Sequence, residues 1–255
     1  MKRWILWLAL CLMLAGCAGK MEKQSIQQTE PFVSQTTAAE TEPGWLLQED
    51  EADFEAYRPV LEIYHQALKE KWNPGQCAEN GISILTAYIG ETETPLQNLC
   101  FAFHDLDSDG DRELLIAPTV SNGFVDEMVF EAYDHTDGEI RLIFTGWERN
   151  RYYLCMEADG TVWFANEGSG GAAVSCWFYS KYDGTELKVE KSLIFDADTD
   201  SESPWFTGSD YSWDLMEMEH IDEALALETI ASFDAMKCNI HRGFSHQYTF
   251  DRIPE

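Results

Sequence analysis

The chain has 255 residues with 46 Asp+Glu against 17 Lys+Arg, a formal net charge of −29. A field of that sign repels phosphate backbones and anionic lipid, which excludes nucleic acid as a partner, and it attracts divalent cations and basic groups. The length suits a domain that buries its own core without cross-links.

Met1-Lys2-Arg3 is a basic n-region, Trp4 to Leu14 an apolar run, and Leu14-Ala15-Gly16-Cys17 closes it. The run is shorter than the roughly 20 residues that a helical membrane span needs, and its flanks are those of an export signal. The closing cysteine resembles a bacterial lipobox, which makes residues 1–16 a lipoprotein signal peptide and Cys17 the lipidated N-terminus. The expected location is the outer face of the cell membrane, held there through lipid on Cys17, since two acyl chains anchor stably. Removing residues 1–16 takes away Lys2 and Arg3 and no acid, which leaves about −31. Residues 17–49 are rich in Gln, Thr, Ser, Glu and Ala and read as a disordered tether, leaving 50–255 as a single domain.

From Phe54 the apolar residues Tyr57, Val60, Leu61, Tyr64, Leu68 and Trp72 recur at a helical period. Pro59 belongs in the first turn of that amphipathic helix or kinks it. A second short helix is expected over Ile82 to Ile89. From Leu99 the rhythm becomes that of strands, and Asp137-Gly138, Asp159-Gly160 and Asp183-Gly184 each lie between β-rich runs, as hairpin turns do. The runs predict an antiparallel β-meander of about seven or eight strands. A closing helix from Ile221 to about Met236 carries Ala224, Leu225, Leu227, Ile230 and Phe233 and is expected to cover one sheet face, giving an α+β fold. Beyond Cys11 and Cys17, Cys77, Cys100, Cys155, Cys176 and Cys238 show no C-x-x-C and no framework spacing, so buried thiols are expected.

The chemistry concentrates in Asp105-Leu106-Asp107-Ser108-Asp109-Gly110-Asp111-Arg112-Glu113. Oxygen ligands at positions one, three and five, glycine at six and an acid at nine match the first three-quarters of an EF-hand loop. The expected calcium ligands are Asp105, Asp107, Asp109, the main-chain oxygen of Asp111, and Glu113 directly or through water. Two positions depart from the pattern. Position eight is Arg112 in place of an aliphatic residue, and position twelve is Ile116 in place of a bidentate Glu, so the ion is expected to bind weakly or to need a distant acid, and to stiffen structure instead of acting as a sensor. Asp196, Asp198 and Asp200 repeat the alternation without a glycine and read as a flexible acidic loop.

Other patterns fall short. Glu167-Gly168-Ser169-Gly170-Gly171 lacks the Lys-Ser/Thr of a phosphate cradle and reads as a tight turn or a close backbone approach. The six histidines form no H-E-x-x-H, and Ser169 lacks the elbow pattern of a nucleophilic serine. Trp177 and Tyr179 share one strand face, opposite Phe178. They are candidate ligand-stacking aromatics, although packing under the closing helix explains them as well.

With its lipobox, its polar tether, Tyr57-Arg58-Pro59-Val60-Leu61, the Phe103 to Leu115 segment, Asn150-Arg151-Tyr152-Tyr153-Leu154 and Gly168 to Ala173, the chain resembles the uncharacterised surface lipoproteins of Gram-positive gut bacteria. That resemblance implies location and the calcium loop, and no activity. The sequence therefore points to a lipid-anchored, calcium-stabilised surface or binding module with an unknown extracellular or cell-wall ligand. The alternative is an envelope hydrolase acting on glycan or peptide through paired carboxylates.

Overall fold

A computed structural model describes residues 45–119, 127–244 and 246–254. The signal peptide, Cys17 and most of the expected tether lie outside the described residues. A 3-10 turn, Gln48–Asp50, leads into α1 (Glu51–Glu70), followed by α2 (Pro74–Glu79), α3 (Thr86–Gly90) and α4 (Pro95–Asn98). Then come β1 (Leu99–His104), β2 (Glu113–Pro118), β3 (Met128–Val129), β4 (Glu131–Thr136), β5 (Glu139–Thr145), β6 (Asn150–Met156), β7 (Val162–Ser169), β8 (Val174–Tyr182) and β9 (Leu187–Asp196). The chain continues through β10 (Trp205–Gly208), β11 (Glu219–His220), α5 (Glu223–Asp234), β12 (Lys237–Cys238), α6 (Ile240–Gly243) and β13 (Tyr248–Thr249). No helix among the described residues is long and apolar enough to cross a membrane.

The fold is α+β with antiparallel pairing, as the strand rhythm predicts, but the strands make two sheets in place of one meander. One has five strands in the order β13-β1-β2-β4-β5; the other, of eight, runs β11-β10-β9-β8-β7-β6-β12 with β3 beside β6. The chain changes sheet at Phe130: Met128 and Val129 pair with β6, whereas Glu131 onward pairs with β2. Gly146 closes that corner. Its amide donates to Phe130 O at 2.7 Å, and a Cβ there would meet Val129 O at 3.2 Å, so a side chain would need the backbone to give by a few tenths of an ångström.

Alternate residues of the strands go to different cores. Leu99, Phe101, Phe103, Leu114 and Ile116 join Phe54, Tyr57, Leu61, Tyr64 and Leu68 of α1 in one cluster. Cys100, Ala102, Leu115 and Ala117 meet Tyr152, Leu154, Val162 and Phe164 of the larger sheet in a second. Cys155, Ala165, Tyr179 and Leu193 pack with Phe233 of α5 in a third. The layers are thus helix, five-stranded sheet, eight-stranded sheet, helix. The five-stranded sheet is covered on both faces, which is why β2 is buried along its whole length and reads as a continuous apolar run.

Several local expectations shift. Pro59 lies inside α1, because the helix starts at Glu51, before the apolar stripe begins. Trp45 and Leu46 already pack on the core, Trp45 edge-on to Phe54 and Tyr248, so folding begins ahead of residue 50. On α5 the buried stripe is Ala226, Thr229 and Phe233, while Leu225 and Leu227 are exposed. The Ile82 to Ile89 helix shortens to α3. Ahead of it stands α2, whose signal was legible: Pro74 starts it, and Asn73 and Gln76 cap each other's amides at 3.1 and 3.0 Å. Asp137 and Gly138, at φ 55° and 81°, make the left-handed turn expected between β4 and β5. The five cysteines of the domain are thiols, four of them buried.

Candidate metal centre

β1 and β2 form a hairpin whose last pair is His104 with Glu113, and residues 105–112 close it. The loop curls because Ser108 and Gly110 take φ of 68° and 100°. Left-handed backbone of this kind is free for glycine and costs a serine roughly 1–2 kcal/mol. Inside the curl the carboxylates accept the amides ahead of them. Asp105 Oδ1 accepts from Ser108 N at 2.7 Å and Asp105 Oδ2 from Gly110 N at 3.1 Å. Asp107 Oδ1 accepts from Asp109 N at 3.1 Å, and Asp109 Oδ1 from Asp111 N at 2.8 Å.

Each of Asp105, Asp107 and Asp109 thereby offers one carboxylate oxygen within 4.8 Å of the others. Three hard anionic oxygens on one bend fit a hard divalent cation and suit neither zinc nor copper. Asp107 and its neighbours also repel one another, and burial pushes the Asp107 carboxyl above its usual range, with Asp109 and Asp105 adding to the rise.

The side chains of Asp111 and Glu113 stand outside this group. The expected contribution of Asp111 is its carbonyl, and its amide serves Asp109. Glu113 is 2 % exposed, and its Oε2 accepts from Leu106 N at 2.7 Å. Burial, with Asp107 and Asp134 nearby, raises its carboxyl to about 8 against the pull of the Leu106 amide. Glu113 therefore acts first as a brace for the loop backbone.

The departures from the EF-hand pattern have structural reasons. Arg112 pairs with Asp50 at 2.6 Å and with Asp53, and donates to Glu49 O at 2.6 Å, which fixes the loop's exit to the start of α1. Tyr57 of α1 adds a hydrogen bond to Arg112 O at 3.0 Å. Ile116 is fully buried in the core against α1, so position twelve is committed to packing.

The loop also touches the other sheet. Asp107 Oδ2 lies so close to Gly184 that a Cβ on that glycine would come within 2.6 Å of it, and Gly184 has a φ of 85°. Arg141 of β5 reaches the same hairpin, donating to Asp134 Oδ2 at 2.6 Å, Tyr182 OH at 2.8 Å and Gly184 O at 2.9 Å. A cavity of about 290 Å³ between loop and hairpins is lined by Asp105, Asp107, Ser108, Asp159, Lys181 and Tyr182. Asp159 is thus a distant acid that lines the same cavity as Asp105 and Asp107, although the sequence marked it only as a turn residue. The Thr161 amide and hydroxyl hold its carboxyl below the usual range.

The remaining candidates are structural. Tyr179 is 1 % exposed, its ring stacked 3.6 Å from Phe233 of α5, so it packs the closing helix and is not a ligand-stacking ring. Trp177, on the same face as read from the sequence, is half-buried and stacks on Trp205. Gly168 to Gly171 turn β7 into β8, and a Cβ at Gly168 would meet Cys176 Sγ at 2.7 Å, the close approach that the glycines suggested. His104 stacks on Phe244. No protein family, curated protein or solved structure matches the chain.

Proposed function

We propose that this protein is a lipid-anchored module of the outer membrane face, held through Cys17, whose domain is stabilised by calcium in the loop of residues 105–113 and whose task is to bind an extracellular or cell-wall ligand. The observation that carries the calcium reading is the convergence of Asp105, Asp107 and Asp109 on a bend whose two ends are fixed. Calcium would be held by these three carboxylates with the Asp111 carbonyl, and it would offset their mutual repulsion. It has a structural part to play, because the same loop contacts α1 through Arg112 and the larger sheet through Gly184.

Calcium titration of the full chain with thermal melting tests this. Melting should rise with calcium, and Asp107→Ala and Asp109→Ala should remove the rise. A melting temperature indifferent to calcium, or variants that respond as the parent does, would end the metal reading. The hydrolase alternative needs a raised acid that faces substrate. Of the carboxyls that burial raises, Glu113 is buried and bound to the Leu106 amide, Glu131 is buried and bound by the Tyr64 and Tyr133 hydroxyls, Asp53 is paired with Arg112 and Asp107 belongs to the Asp loop, which favours the binding module.

A further inference from the structure

The loop between β10 and β11 folds back over a face of the larger sheet. Strand register sets Tyr152, Asn166, Phe178, Ser192 and Gly208 side by side on that face, in one row from β6 to β10. Tyr211 of the loop lies on Phe178 with ring centroids 4.3 Å apart, and Trp213 stands edge-on to the same ring at 5.8 Å. Leu215 and Met218 pack on the cluster that holds Phe178, Ile194 and Phe206. Tyr152, at the other end of the row, is covered instead by Phe144 of the small sheet, stacked at 4.1 Å. Asn166 therefore stands at the seam between two covers.

Among the described residues three buried side-chain oxygens lack a hydrogen-bond partner, and two of them, Asn166 Oδ1 and Ser192 Oγ, lie in this row. Their residues are 2 % and 0 % exposed. Asn166 Nδ2 donates to Asn150 Oδ1 at 2.8 Å, while its Oδ1 accepts nothing. Burying two such atoms unpaired costs the covered arrangement stability, and apolar residues at both positions would not. The cover is also light. The hydrogen bonds of residues 209–217 stay within the segment: Asp214 N to Ser212 Oγ at 3.1 Å, Met216 N to Asp214 Oδ1 at 3.0 Å and Glu217 N to Asp214 O at 2.9 Å. No ion pair among the described residues ties it to the sheet, so apolar contact alone holds it down. Tyr211 and Trp213 are half-exposed, which leaves part of each ring free.

We propose that residues 209–217 are a lid over a site for an uncharged sugar ring, which enters at the seam, takes the place of Tyr211 on Phe178 and gives its hydroxyls to Asn166 Oδ1 and Ser192 Oγ. The row supplies no charge, and Asp210, Asp214 and Glu217 on the lid repel an anion. A sugar has what the row lacks: a C–H face to lie on an aromatic ring, and hydroxyls at its rim that both donate and accept. Asn166 and Ser192 are two strand spacings apart, about 10 Å, the reach of one ring with a hydrogen bond at each end. A wholly apolar ligand would leave both oxygens as unpaired as before. The inference rests on the binding role proposed above and names its ligand class, at residues that the Asp loop does not use.

Isothermal titration of the full chain with glucose, galactose and N-acetylglucosamine, against glucuronate and N-acetylphenylalaninamide, tests it. At least one neutral sugar should bind with a Kd below about 5 mM, and the amides of residues 209–217 should exchange with deuterium more slowly once it is bound. Ser192→Ala removes an unpaired hydroxyl, so it should melt no lower than the parent and bind the sugar about fivefold more weakly. The Tyr211→Ser/Trp213→Ser double variant should lose at least about tenfold in affinity. Absence of binding by all three sugars, glucuronate or the phenylalanine amide binding as tightly as the best of them, unchanged exchange of the lid, or undiminished binding by Ser192→Ala would overturn the proposal. The Asp107→Ala protein separates the two readings, since it should lose the calcium response and keep the sugar. Absence of sugar binding beside an intact calcium response strikes this site alone.

Discussion

Two hairpin loops of this domain carry three aspartates at alternate positions, and only one of them gathers its carboxylates. Residues 105–112 join β1 to β2, and residues 196–204 join β9 to β10 beyond the Phe195–Trp205 pair. In the second loop Asp196 Oδ1 accepts from Asp198 N and Thr199 N, and Asp200 Oδ1 from Glu202 N and Ser203 N, so each acid caps its own local turn. The first loop makes similar local bonds, yet it also curls. Among the described residues, positive φ falls on Ser108 and Gly110 in the first loop and on none of the second. Alternation therefore supplies oxygens, and left-handed backbone with anchored ends supplies their convergence.

Removing an anchor should have the largest effect on that contrast. Arg112→Ala leaves Asp50, 1 % exposed, with only the Tyr248 hydroxyl against its charge, and should destabilise the domain by about 3 kcal/mol in urea unfolding. Next comes the ion itself. At calcium a hundredfold above its Kd the domain should gain about 2.7 kcal/mol, lost in Asp107→Ala and retained in Asp198→Ala; equal behaviour of the two variants would erase the distinction between the loops. Ser108→Gly should relieve left-handed strain and stabilise by about 0.5 kcal/mol net of the added freedom of the unfolded chain. The same change at Thr199, where φ is negative, should destabilise.

The smallest effects are in titration. Backbone amides of Ser203 and Glu202 lower the Asp200 carboxyl, so its contribution is present above the ordinary aspartate range and is lost as pH falls through the lowered value. The Asp107 carboxyl is raised, so the folded chain favours its protonated form, and that contribution disappears as pH climbs through the raised value. Carboxyl NMR titration in chelator should place Asp200 below the usual aspartate value of 3.8 and Asp107 above it. The reverse order would sink this account of the two loops.

Much of the fold was legible in local pattern. The stripe from Phe54 to Leu68, the Asp-Gly turns and the Asp105 bend all follow from periodicity and turn chemistry acting over a few residues. The division into two sheets was not, because period-two alternation is the same whether a strand's second face meets water or another sheet. The buried run of Leu114 to Ala117 was the available hint of cover on both sides. At the site, the sequence supplied the three aspartates, but not the roles of Arg112, Gly184 and Asp159. Those depend on partners at Asp50 and on hairpins more than fifty residues away, which no spacing rule reports.

Tyr248 grips the start of the domain: its hydroxyl bonds Asp50, 198 residues distant, and Leu47 N at 3.3 Å, while β13 completes the small sheet beside β1. Closure of the first core layer therefore waits for the segment around residue 248. Pairing across so long a stretch of chain makes this closure a slow, late event in folding and leaves the intervening segments free to rearrange until it occurs.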